Sequence, residues 1–316
     1  MSTNKEEKCR FKSKIGGQAL IEGIMMRGID KSAMACRLAD GTIDVEEWEI
    51  NNGKNAPWYK KTPFVRGIFN FIETLVEGYK CLSKSADKQM EDPDEEKSKF
   101  ELWLENKLGD KLMPVLSVVA TVLGILLAIG LFVFIPTFVV KFFDDIIQSN
   151  FLLTLIEGII KIIIFIIYLW LTSMIKDIQT TYMYHGAEHK TISCYEAGEE
   201  LTVENIKKHS RFHPRCGTSF IIIVLIVSIL VFSVVTWSSR LARVAIKLLL
   251  LPVVVGISYE IIKLAGRYTN IATRIISAPG LALQRLTTRE PDEKQIEVAI
   301  AAMERVIPDD KEDDKW

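Results

Sequence analysis

The sequence predicts a mainly α, polytopic helical membrane protein of about four spans, with a small cytoplasmic α+β domain at its N-terminus. Three observations carry that prediction. Apolar residues are segregated rather than spread by period: 49% of the 316 residues are hydrophobic and 25% charged, yet residues 114–140 run for 27 positions without a charge. A second uncharged run, residues 218–239, is 22 long, and either is enough to cross a bilayer. Lysine and arginine are placed unequally around the ends of these runs, which sets an orientation.

Residues 1–84 form the N-terminal α+β region. The first residues are charged with no apolar core behind them, so no secretory signal is expected. Residues 14–28 are a glycine-punctuated apolar stretch with Glu22 and Arg27 as its only charges beyond Lys14. Residues 33–38 and 42–50 flank Ala39-Asp40-Gly41, a hairpin signal. Residues 63–84 carry Phe64, Ile68, Phe71, Ile72, Leu75 and Val76 on one stripe, with Pro63 in the first turn. That helix could pack on the hairpin or lie on the membrane surface. Residues 85–113 are a charged linker and membrane approach, with Pro93 inside.

Residues 114–264 form the membrane region. After the first span, residues 151–175 give a second, apolar except for Glu157 and Lys161, four apart on one helix face. Residues 218–239 give the third. Residues 248–259 give only 12 uncharged positions, interrupted by Pro252. They make a short fourth span if Arg243, Lys247 and Lys263 snorkel, or else a re-entrant hairpin. Lysines 97, 99, 107 and 111 precede the first span, and six basic residues occupy the loop 176–217. The connection 141–150 has one lysine against two aspartates. Arg240 and Arg243 dissent, but the balance places both termini and the long loop in the cytoplasm, at the inner membrane. Residues 265–316 are a cytoplasmic helical tail, with a helix expected over 291–306 and a frayed acidic end over the last eight residues.

Several function classes are excluded. A net charge of −1 argues against a nucleic-acid partner held by bulk positive charge. Five scattered cysteines without a CxxC pair indicate neither a disulfide framework nor a zinc ribbon. Phosphate-binding glycine loops and GxSxG elbows are missing from the sequence.

The chemistry concentrates in the loop 176–217, which holds all four histidines. His185-Gly-Ala-Glu188-His189 is an H-x-x-E-H string. On a helix it puts two imidazoles on one face with a carboxylate beside them, as in inverted zincins. His209, His213, Arg215 and Cys216 follow, with Cys194 and Glu196 between the halves. A catalytic zinc takes three protein ligands and keeps one position open. His185 and His189 plus one of His213, Cys216 or Glu196 meet that condition. Glu188 would take a proton from a water the metal acidifies, and Arg215 would steady an oxyanion or an anionic substrate group. The plain alternative is that these histidines cap helices and hydrogen-bond at a wet interface, with Cys194 a small core residue. Glu260 could reach the loop as a late ligand, or pair with Lys263 or Arg267.

The motifs GGQALIEGIMMRG, PFVRG, MYHGAEHKTISCYE, HPRCGTSF, SYEIIKLAGR and LTTREPDEKQIEVAIAAM, in that order, resemble the YqhQ-like bacterial membrane-protein family over residues 15–303. That family is a domain of unknown function labelled as a predicted metal-dependent enzyme. The resemblance implies Glu22, Arg27, Arg66, His185, Glu188, His189, Glu196, His213, Arg215, Cys216, Glu260 and Arg267 as positions of interest. His209 lies outside its motifs.

The expectation is a hydrolase at the cytoplasmic membrane face, dependent on a divalent metal, zinc by its ligand types. Glu188 and Arg215 are its catalytic groups, His185, His189, His213 and Cys216 its candidate ligands, and Glu22, Arg27, Glu196 and Glu260 a further group. Its partners would be membrane lipid and a membrane-linked substrate or membrane protein. The alternatives are a non-enzymatic scaffold or transport-linked protein with a structural metal or none, and a transporter whose path passes Glu157, Lys161 and Glu260.

Overall fold

A computed structural model of the chain describes residues 11–53, 56–89, 107, 109, 112–143, 145–235, 240–310 and 312–315. The strands β1 (Gly16–Leu20), β2 (Gly23–Arg27), β3 (Lys31–Arg37) and β4 (Ile43–Glu49) form one antiparallel sheet in sequential order. The β3–β4 hairpin turns at Asp40-Gly41 as expected. Gly41 has φ +86°, and Asp40 Oδ1 accepts from Thr42 N at 2.8 Å. The glycine-punctuated stretch supplies β1 and β2. Leu20 pairs with Gly23, so Ile21 and Glu22 make the turn, and Glu22 takes φ +47° without being glycine.

Side-chain alternation divides the sheet's two faces. Leu20, Met25, Met34 and Cys36 pack under α2 (Val65–Gln89), which follows the short α1 (Trp58–Lys61). Ile24, Met26, Ala33 and Ala35 pack against two helices from far along the chain, α6 (Lys176–Glu196) and α11 (Glu293–Val306). The N-terminal strands and the C-terminal helix therefore share one core. α2 runs on to Gln89, so the first part of the expected linker is helical, and residues 90–106 lie outside the described part.

The acidic tail is not frayed. Asp314 is fully buried, and its carboxylate accepts from Ser13 Oγ at 2.7 Å and Lys14 N at 3.0 Å. A buried carboxylate needs such donors, and a strand bridge between Ser13 and Lys315 completes the attachment.

Among the described residues three helices are long and apolar enough to cross a membrane: Val118–Lys141, Asn150–Thr172 and Ala245–Arg267. The first comprises most of α3 (Leu112–Ile129), a π turn at Gly130–Phe134, and α4 (Ile135–Lys141). The widened turn precedes Pro136, whose ring cannot sit against an ordinary preceding turn. The second is α5 (Asn150–Thr172). The short α7 (Val203–Lys207) follows α6. The expected third span is shorter than its uncharged run: α8 (Gly217–Ser233) has 17 residues, and 236–239 lie outside the described part. The expected short fourth span or re-entrant hairpin is instead one continuous helix of 28 residues, α9 (Arg240–Arg267), with Pro252 inside it. Proline removes one backbone bond there, and the many turns on either side hold the helix. The amphipathic α10 (Ile271–Thr287) follows, capped by Asn270.

α2 packs on the hairpin and also on the apolar helices. Gly67 meets the ring of Tyr259 on α9, where a Cβ would lie 2.6 Å from Tyr259 Cβ. Phe71 meets Phe220 on α8 with ring centroids 5.6 Å apart. Glu157, buried in α5, pairs with Lys161 as expected and also with Lys247 of α9, each at 2.7 Å.

Candidate metal centre

α6 is buried almost all round from Tyr184 to Glu196, so its polar side chains need partners. It threads between the sheet, α11 and the segment 287–291. Gly186 permits this contact, because a Cβ there would overlap the carbonyl oxygen of Arg289. Gly186→Ala should therefore push α6 off that segment and cost about 2 kcal/mol of stability, read as a lower Tm of the detergent-purified protein. An unchanged Tm would show that the contact is slack.

One ligand atom each from His185, His189 and Cys216 lies within 4.8 Å of the other two. His185 Nδ1 donates to Thr287 O at 2.8 Å and His189 Nδ1 donates to Arg211 O at 2.7 Å. A carbonyl only accepts, so each Nδ1 carries its proton and each Nε2 is left to the interior. His185 Nε2 lies 3.1 Å from Cys216 Sγ, and His189 Nε2 is buried without a hydrogen-bond partner. Imidazoles that ligate metal are oriented in this way by a second acceptor. Cys216 is the N-cap of α8, its Sγ accepting from Thr218 N at 3.4 Å. A helix N-terminus favours a thiolate.

The charges follow the geometry. Burial alone would raise the Cys216 thiol, but the imidazoles of His185 and His189 hold it well below its ordinary value. Burial alone would lower His185, and the Cys216 sulfur overrides this, bringing it to about 9. Both shifts favour the charged forms, a thiolate beside an imidazolium. Glu188 is 5% exposed, and its Oε2 has no hydrogen-bond partner. Burial raises its carboxyl, moderated by the two histidines and by the Gly17 backbone N–H. Gly17 leaves room for that carboxylate, since a Cβ there would lie 2.9 Å from Glu188 Cδ.

His213 belongs to an adjoining group. Its ring centroid is 5.6 Å from that of His189. Its Nε2 lies 3.3 Å from the Arg215 guanidinium and 3.7 Å from Glu196 Oε2, and burial lowers it to about 4. Arg215, half-buried, pairs with buried Glu196, whose Oε1 also accepts from Ser13 N at 2.6 Å. The remaining candidates lie apart. Glu22 Oε2 accepts from Tyr184 OH at 3.0 Å at the sheet's first turn. Arg27 pairs with Glu73 at 2.7 Å and Glu77 at 2.8 Å on α2. Glu260 pairs with Arg66.

Sequence reasoning missed the two supporting carbonyls, because a main-chain acceptor has no residue-type signature. It also missed a second trio in which Cys194, Glu199 and His209 bring ligand atoms within 4.8 Å of one another. Burial raises Cys194 to about 11, which favours the neutral thiol over a metal-binding thiolate.

The sequence model of the family described as Protein of unknown function (DUF1385) matches residues 62–309. The Uncharacterized protein YqhQ of Bacillus subtilis (strain 168) is 37% identical over 294 residues, covering 92% of each chain. No solved structure matches the chain.

Proposed function

The chain belongs to the family described as Protein of unknown function (DUF1385), and we propose that it is a multi-pass protein of the inner membrane acting as a metal-dependent hydrolase at the cytoplasmic face. The membrane placement is supported by parity. The sheet, α6 and α11 share one core, so the chain must cross an even number of times between them. α3–α4 with α5 give two crossings before α6, and α8 with α9 give two before α11. This counts α8 as a span despite its length. The lysines and arginines of the loop 176–217 and of both flanks support a cytoplasmic side for the shared core.

One observation carries the enzymatic reading. Two imidazoles, each fixed through Nδ1 by a carbonyl, turn Nε2 toward one thiolate beside a carboxylate with an unpartnered oxygen. His185, His189 and Cys216 would hold the metal, and two nitrogens with a thiolate suit zinc. The ion would supply Lewis-acid polarisation and acidify a water. Glu188 is the general base: its raised proton affinity suits it to accept a proton from the attacking water and return it to the leaving group. Arg215 holds Glu196 and His213 in place and does not meet substrate. α8, an apolar helix, starts at Cys216, and this favours a membrane-linked substrate. The burial of Glu188, His189 and Cys216 favours a second reading, a scaffold with a structural metal. Three ligands instead of four favour the enzyme.

The test incubates wild type and Glu188→Gln with lipid and peptide extracts of the native membrane and follows products by mass spectrometry. The expected result is product from the wild type, removed by chelator, and formed at least ~100-fold more slowly by Glu188→Gln with its metal retained. Equal turnover by the two proteins, or turnover insensitive to chelator, would contradict the proposal.

A further inference from the structure

We propose that the cleft beside the cytoplasmic end of α5 binds the phosphate headgroup of an anionic glycerophospholipid. The cleft has a volume of about 810 Å³, and its walls include Trp170, Met174, Arg211, Arg285, Leu286 and Arg289. It is amphipathic in the sense that a lipid requires. Trp170 and Met174 are 52% and 60% exposed where the apolar helix ends, which is the depth at which tryptophan sits in a bilayer. Three arginines, Arg211, Arg285 and Arg289, also line it. The carboxylate among them, Glu290, is already engaged by Lys190 Nζ at 2.8 Å and Arg211 Nε at 3.4 Å. Arg289 donates one bond to Ser173 O at 3.1 Å. Arg285 is exposed and makes no ion pair among the described residues. A phosphodiester is the anion that planar guanidinium forks grip in two-point fashion. Trp170, Met174 and Leu286 offer apolar surface for the start of an acyl chain.

The cleft also touches the supports of the histidine cluster. The Arg211 carbonyl orients His189 and the Thr287 carbonyl orients His185. The Arg211 guanidinium bridges to Thr288, donating to its carbonyl and, at 3.2 Å, to its hydroxyl. A headgroup seated on these arginines therefore acts on the same short segments that aim both imidazoles. The lipid site rests on the membrane placement proposed above and does not depend on a metal.

The test uses the full-length protein in detergent with dioleoylphosphatidylglycerol, dioleoylphosphatidylcholine or inorganic phosphate, comparing wild type with Arg285→Gln. The readouts are lipids retained in native mass spectrometry and the shift in Tm. Arg285 has no ion pair to lose, so the variant should fold, and its Tm without lipid checks this. Retention of phosphatidylglycerol over phosphatidylcholine by the wild type, weakened about tenfold or more in Arg285→Gln, supports the proposal. Equal retention of both lipids, equal binding by both proteins, or a phosphate-only shift of the same size would overturn it. Flotation with phosphatidylcholine vesicles separates the two inferences. A protein that fails to float refutes the membrane placement, and one that floats without headgroup preference refutes only the lipid site.

Discussion

Cys216→Ser lowers metal affinity at least ~100-fold and leaves the fold in place. Serine can replace the thiol as N-cap of α8, because its hydroxyl accepts from the same backbone N–H. What it cannot replace is the soft anionic ligand. The loss should appear in competition titrations against a chromophoric chelator, with the Tm of the metal-free variant close to that of the metal-free wild type. An unchanged affinity would mean that the sulfur only caps the helix, and the candidate centre would lose its third ligand.

Glu196→Gln has the opposite signature, a large loss of stability with metal retained. Arg215 and Glu196 are 10% and 7% exposed, and the carboxylate also holds Ser13 N. Removing its charge leaves a guanidinium that is only 10% exposed without its counter-ion, which costs roughly 3 kcal/mol or more. Thermal unfolding should report a Tm lower by several degrees, while metal content stays at the wild-type level. A variant that unfolds at the wild-type temperature but loses its metal would make Glu196 a ligand and Arg215 a free active-site cation.

The long apolar helices were legible because the lack of charge over 20 residues has few other meanings, and the Asp-Gly hairpin because its turn chemistry is local. β1 and β2 were not legible as strands. Glycines at 16, 17, 23 and 28 weaken strand propensity, and their turn places a glutamate, not a glycine, at positive φ. The buried tail was hidden for a different reason. Asp314 is satisfied by Ser13 and Lys14, some 300 residues away, and the sequence around it reads only as charge. The length of α9 was hidden by Pro252 and its flanking lysines, which interrupt hydropathy without interrupting the helix.

Within the site, the spacing of His185, Glu188 and His189 placed them on one side of a helix, as found. Spacing could not choose between His213 and Cys216. The chain's path into α8 brings the Cys216 sulfur to the imidazoles and the Arg215–Glu196 pair engages His213, which favours Cys216 as the third candidate.

Elemental analysis decides whether His185, His189 and Cys216 form a metal centre. The full chain is purified in detergent without chelators, beside a His185→Ala/His189→Ala variant. The expected result is about one equivalent of zinc or another divalent transition metal in the wild type and none in the variant. A wild type free of metal, or a variant that keeps it, would rule out a metal centre on these three residues.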